Sequence, residues 1–342
     1  MKLIKKLLFV LLFCLITFSS FKVSSKASYN AKSYILMEAN SKRILDGKNV
    51  NERYLTASIA KIMTAIVVIE NCDIDKYVLV DQETINQIGS KIYLELNDLV
   101  CIRDLLYGLM LRSGNDCAYL LAKSYNGNID SFIKLMNQYA KMIGMKNSVF
   151  CNPSGLDENS CNYSTAYDMA ILMCYAMQND VFREITNTKN HRFTSSNGKG
   201  YLLYNKHKLI NGYDYIIGGK TGYTVLAHRT LVTYANKNNM ELVCVTFDCS
   251  DDWNVHLKLF DYGFKNYKMS KVISEQIIKT KKDYLYTPYL DCDIYLPLKD
   301  DEEVIIKIYL YEEVDKDIEI LGNLVIYIND NKIYSKDVIR YL

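Results

Sequence analysis

The sequence carries no surplus of charge of either sign: 41 lysines and arginines stand against 39 acids, a formal net charge of +2. That balance supplies no field for nucleic acid or an anionic surface, and no nucleic-acid partner is expected. Histidine is scarce, and His191, His207, His228 and His256 form no HxH or HExxH arrangement, so no metal site is expected. Three prolines and no internal repeat leave no low-complexity linker. Hydrophobic and charged fractions of 49% and 23% exclude a disordered chain and describe an ordinary globular one. No CxxC spacing occurs among the ten cysteines, most of which read as small buried hydrophobes. The nearest pair, Cys244 and Cys249, is compatible with a bridge or with two thiols on and just beyond one strand.

What the chain does have begins at its start. "MKLIKK" is basic, and "LLFVLLFCLITF" is an apolar run of signal-peptide length, shorter than a membrane span. Residues 1–27 therefore read as a signal peptide, with a loose small-x-small site ending at Ala27; the alternative is an uncleaved anchor. Cys14 is a poor lipidation candidate because it lies inside the apolar run after Phe13. Export is expected.

Beyond the signal, "SYILMEANSKRILDG" alternates around the turn-prone Ala39, Asn40 and Ser41, as a hairpin does. Ala57 to Glu70 is helical in length and apolar on most faces, the pattern of a helix buried in a core. "CIRDLLYGLMLRSGNDCAYLLAKSY" predicts two helices joined at Ser113-Gly114-Asn115, and "NIDSFIKLMNQYAKMIGM" and "STAYDMAILMCYAM" predict two more. "IIGGKTGYT", "RTLVTYANKN" and "MELVCVTF" read as antiparallel strands, and "WNVHLKLFDYGF" as a closing helix. Past Lys268, short β runs with Asn329, Asp330 and Asn331 at a hairpin turn suggest a small separate β domain.

Three motifs carry chemistry. Ser58 and Lys61 interrupt the buried helix at its first turn, three residues apart and so on one face. A capping serine and a snorkelling lysine would explain them blandly. The sharper reading is a nucleophile beside a desolvated lysine that accepts its proton. Ser113 and Asn115, between two helices, can present a hydroxyl and an amide to a cleft, or merely cap a turn. In "GGKTG", Gly218, Gly219 and Gly222 remove side chains where a ligand would lie along the strand, while Lys220 and Thr221 offer a cation and a hydroxyl to a carboxylate. Were Lys220 near Lys61, like charges would help keep Lys61 neutral.

The order S-x-x-K, S-x-N, K-T-G is that of penicillin-binding proteins and serine β-lactamases. With "ILMEANSKRIL", "TASIAKIMTA", "LRSGNDCAYLLA", "FCNPSGLDE", "YSTAYDMA", "GGKTGYT" and "DWNVHLKLFDYGF", nearly the whole exported chain resembles the D-alanyl-D-alanine carboxypeptidases, the S11 peptidases among low-molecular-mass penicillin-binding proteins. The resemblance implies an α+β fold: a transpeptidase-like domain over residues 28–267, with an antiparallel sheet and a helical subdomain, and a C-terminal β-rich domain over 268–342. It implies that Ser58 attacks the bond between the terminal D-alanines of a peptidoglycan stem peptide and that Lys61 is its base. Ser113 would relay a proton, Asn115 would hold the peptide amide, and Lys220 with Thr221 and Gly222 would receive the terminal carboxylate. The N–H groups of Ser58 and Tyr223 would form the oxyanion hole. No cofactor is implied, β-lactams are the expected inhibitors, and the location is extracytoplasmic, with peripheral association to membrane or wall.

One departure is that His228 follows Ala227 where the family pattern expects glycine. Two other readings use the same motifs. A serine β-lactamase is opposed by Gly114, where the class A pattern has aspartate. A non-catalytic wall-binding or penicillin-sensing protein would find its best support in His228.

Overall fold

In the computed structural model, residues 29–157, 162–280, 286–312 and 319–341 are described, and the expected signal segment 1–27 lies outside them. Five strands, β1 (Ala31–Glu38), β2 (Ile44–Lys48), β3 (Ile216–Thr224), β4 (His228–Lys237) and β5 (Met240–Cys249), pair antiparallel in the order β2-β1-β5-β4-β3. Segments far apart in sequence thus meet in one sheet: Ile35 pairs with Val245, which pairs in turn with Val232, and Val232 with Lys220. β4 and β5 are buried almost continuously rather than on alternate residues, which requires cover on both faces. Helices Ala166–Ala176 and Asp252–Asn266 both pack on β5. β3 is an edge strand, so one side of its backbone is free of sheet partners.

Among the described residues, six helices of two turns or more lie between β2 and β3: α1 (Lys61–Asn71), α2 (Ile102–Arg112), α3 (Asn115–Asn126), α4 (Ile129–Met142), α5 (Ala166–Ala176) and α6 (Asp180–Asn187). α1 is buried on every side from Lys61 to Val68, as its apolar sequence predicts, and its core runs continuously into the sheet. The start of that helix differs from expectation. Ala57–Ala60 form a 3-10 turn, with Ala57 at φ 48° and no side-chain cap. Thr56, the residue placed to cap, instead gives its hydroxyl to Asn162 O (3.2 Å).

After α7 (Asp252–Asn266) the chain forms only strands among the described residues. These gather a second, smaller core around Leu290, Leu296, Leu324 and Ile326. The turn at Asn329 and Asp330, both at positive φ, joins strands Ile320–Ile328 and Asn331–Arg340, a type I′ connection of the kind those residues favour. One buried ion pair bridges this region to the first hairpin: Arg43 and Glu302 are 7% and 9% exposed at their side chains. Arg43 also donates to Pro297 O and stacks 5.4 Å from the Tyr267 ring. Cys244 and Cys249 are free thiols, both buried.

His228 takes φ 55° and stands exposed, opposite Thr224, just after the three-residue loop Val225–Ala227. A loop of that length ends in a left-handed residue that forms a bulge, a place glycine fills without strain. The family's glycine is thereby explained as a backbone requirement, and histidine is among the residues that tolerate this conformation.

Two outcomes are expected. His228→Gly gains roughly 0.5–1 kcal/mol in urea unfolding, the relief of left-handed strain less the entropy of added glycine freedom. Arg43→Ala loses about 3–5 kcal/mol, because it strands the Glu302 carboxylate in a buried site; an unchanged midpoint would show that the pair contributes nothing.

Candidate active site

A cleft of ≈ 400 Å³ opens between the 3-10 turn, the α2–α3 junction and the outer edge of β3, with Ser58, Ser113, Thr221 and Tyr223 among its walls. Lys61 is fully buried, and its Nζ lies 3.0 Å from Ser58 Oγ and 2.7 Å from Asn115 Oδ1, with Ser154 O as third partner. Burial lowers its pKa to about 7; the charge on Lys206 adds to the fall, and Asp116 opposes it. Two of the three partners are oxygens that only accept, since Asn115 Nδ2 is committed to Ile88 O (2.6 Å). A neutral Lys61 therefore spends its two N–H groups on Asn115 and Ser154 and keeps its lone pair for the Ser58 hydroxyl.

Backbone constraints hold this arrangement. Gly155, at φ 82°, lies so close to Ala57 that a Cβ there would stand 1.9 Å from Ala57 O. Asn152 Oδ1 accepts from the N–H groups of Ser154 (3.1 Å) and Gly155 (2.7 Å), fixing the carbonyl that meets Lys61. On the other side, Thr230 Oγ1 donates to Thr56 O (2.9 Å), and a Cβ on Gly222 would come 3.0 Å from Ser58 N. Edge strand and nucleophile turn are thus in direct contact.

Ser113 sits at φ 64°, ψ 33°, ending α2, and is 5% exposed. Its Oγ is a buried atom with no hydrogen-bond partner among the described residues, an unusual state for a buried hydroxyl. Asn115 begins α3; its amide is used at both ends within the protein, orienting Lys61 rather than pointing free into the cleft.

The glycines of "GGKTG" divide. Only Gly222 borders the nucleophile; a Cβ on Gly218 would meet Thr186 Cγ2 at 2.7 Å, and one on Gly219 would meet Val232 O at 2.4 Å and His207 Nε2 at 2.5 Å. Gly218 and Gly219 thus make room for α6 and a buried histidine, not for a ligand, which corrects the expectation for those two. Thr221 lines the cleft and Tyr223 stands 65% exposed at its rim. Lys220 is 1% exposed and its Nζ donates to Thr221 O (2.8 Å). Burial, then the charges of Lys61 and Lys206, pull its pKa well below that of an ordinary lysine. Burial is the leading cause for both lysines, and any repulsion between the two amines acts on each alike.

Several contributors were missed in the sequence. Asp116, fully buried, accepts from the backbone N–H groups of Ile92 (3.1 Å), Tyr93 (3.0 Å) and Cys117 (2.9 Å), pulling the 88–94 rim against α3. Arg229 forms a two-point pair with the buried Asp252 (2.7 and 3.1 Å) in the cleft wall beside Trp253. An acid directly after Asn115 and an acid at the start of α7 were the available signals, but neither spacing names a partner. Among the described residues no cluster of His, Cys, Asp and Glu is arranged to hold a metal.

Residues 20–251 match the peptidase S11 family, described as D-alanyl-D-alanine carboxypeptidase. A D-alanyl-D-alanine carboxypeptidase of Bacillus subtilis (strain 168) is 34% identical over 255 residues, 72% of this chain and 65% of its own length. Another, from Haemophilus influenzae, is 32% identical over 340 residues, covering 90% of this chain and 84% of its own. Penicillin binding protein 5 of Haemophilus influenzae superposes with a TM-score of 0.78 at 27% identity, over 92% of this chain and 98% of that one, so the fold is the α+β transpeptidase-like fold. The chain belongs to the S11 family of serine-type D-alanyl-D-alanine carboxypeptidases.

Proposed function

We propose that the protein removes the terminal D-alanine from peptidoglycan stem peptides through an acyl-enzyme on Ser58, outside the cytoplasmic membrane. The observation that carries this reading is the buried Lys61 amine, 3.0 Å from Ser58 Oγ and bound to two oxygens that cannot donate. Ser58 Oγ attacks the carbonyl between the D-alanines as its proton passes to Lys61. The Ser58 and Tyr223 N–H groups stabilise the oxyanion, with about 3–4 kcal/mol for one such donor.

Ser113, whose hydroxyl has no partner among the described residues, relays a proton to the leaving amine, and free D-alanine departs. Thr221, Gly222 and Lys220 receive its carboxylate at the edge of β3; Lys220 takes up a proton there, because the arriving anion reverses what burial imposes. Asn115 keeps its oxygen on Lys61, and its NH₂ exchanges Ile88 O for a peptide carbonyl as substrate enters. Water then cleaves the ester. β-Lactams acylate Ser58 in the same way. Residues 28–267 form the catalytic part and 268–342 a β-rich module for peripheral association with the wall or membrane. No helix among the described residues is long and apolar enough to cross a membrane.

D-alanine release from a stem-type pentapeptide, followed for the parent and for Ser58→Ala, tests the assignment: release by the parent and none by the variant is expected. Equal negligible release from both, with the parent folded by circular dichroism, would remove it. The pH profile supplies a second check. Lys61 is held down at about 7, so its neutral, basic form prevails above that pH and is lost below it. kcat/KM is expected to climb roughly tenfold per unit on the acid side and to level above about 7; a rate that is flat from pH 5 to 9 would exclude Lys61 as base.

A further inference from the structure

The cleft holds more positive charge than the proposed reaction uses. Lys206, Lys208 and Arg229 all line it, and the acid among its walls, Asp252, is committed to Arg229. The two lysines flank a buried residue. His207 is 1% exposed, with its N–H on Asn205 Oδ1 (2.9 Å) and Nε2 3.0 Å from Thr233 Oγ1. His207 is extended (φ −78°, ψ 97°) and precedes the short helix Lys208–Gly212, so Lys206 and Lys208 stand on either side of a buried anchor. Lys206 is further tied through its N–H to Leu111 O (3.0 Å), at the end of the helix that presents Ser113.

Neither lysine is neutralised from within. Among the described residues Lys206 Nζ meets only the uncharged Ser90 hydroxyl, at 3.4 Å, and no carboxylate lies within ion-pair distance of Lys206 or Lys208. Two like charges held in one small cleft repel unless the ligand brings negative charge. In the proposed reaction the terminal carboxylate is received by Lys220 and Thr221, which leaves Lys206 and Lys208 without a partner in it.

We propose, resting on the carboxypeptidase reading, that Lys206 and Lys208 form a second carboxylate subsite. The preferred substrate then carries a carboxylate on the acyl side of the scissile bond in addition to that of the terminal D-alanine. A stem peptide offers two such groups: the side-chain carboxylate of a diamino diacid before the D-alanyl pair, and the α-carboxylate of the γ-linked glutamate before it.

Four synthetic pentapeptides separate these sources: both carboxylates free, either one converted to its amide, or both amidated. Amidation of the group that is read lowers kcat/KM about tenfold or more, the worth of one charge-assisted hydrogen bond. In Lys206→Gln/Lys208→Gln the ratio between acid and amide peptides falls to about one, and in Lys206→Arg it persists. The ratio is the readout because the charge on Lys206 also acts on Lys61, an effect common to all four peptides that cancels. Equal kcat/KM for all four peptides overturns the second subsite and leaves the carboxypeptidase reading standing. A preference that survives in the double variant overturns its assignment to these lysines. Release from none of the four overturns the carboxypeptidase reading, and the subsite with it.

Discussion

Everything at this site depends on one buried amine. An ammonium taken out of water without a counter-ion is costly, and the ordinary response of a buried lysine is to lose its proton. Lys61 is fully enclosed and hydrogen-bonds only neutral oxygens, so burial is the first cause of its neutrality and the charge on Lys206 a lesser one. A neutral amine with both N–H groups engaged has one direction left for its lone pair, and Ser58 occupies it. Reactivity here is a consequence of burial plus a count of acceptors.

That count is kept by parts of the chain far apart in sequence. Asn115 can offer only its oxygen to Lys61 because Ile88 O takes its NH₂, and the 88–94 segment stays in place because the Asp116 carboxylate gathers its N–H groups. Ser154 O is aimed by Asn152, and Gly155 must lack a side chain because Ala57 O is in contact with it. Ala57 itself sits in the left-handed region, a cost of about 1–3 kcal/mol for a residue with a Cβ. Strain next to the nucleophile is held in place by strand β3 on one side and the 152–155 turn on the other.

Much of this was legible in the sequence, for identifiable reasons. Ser58 and Lys61 stood out because polar residues in an apolar run of helical length need an explanation, and the hairpin at Asn329 and Asp330 because those residues favour positive φ. What was not legible depends on contacts across long sequence separations. The 3-10 turn follows from Thr56 bonding to Asn162, 106 residues away, instead of capping. Gly218 and Gly219 looked like ligand clearance because nothing local says that Thr186 and His207 pack over them. Asp116 carries no signal of its role in the sequence, since its partners 22 to 24 residues earlier have no periodic mark.

His228 shows how a departure from a family pattern should be weighed. The concern raised by the sequence was steric: a ring where the pattern has only hydrogen. The ring is in fact exposed, so nothing in the cleft is displaced, and what remains is a conformational cost of about 1–2 kcal/mol for a left-handed residue with a Cβ. That cost is levied on folding, not on any atom that meets substrate. Arg229, the next residue, keeps its pair with Asp252, and Thr230 keeps its bond to Thr56 O, so the register that holds Gly222 against Ser58 is intact. A substitution that taxes stability while leaving the nucleophile's supports in place argues for a working enzyme that tolerates strain, rather than for a binding protein that has lost its chemistry.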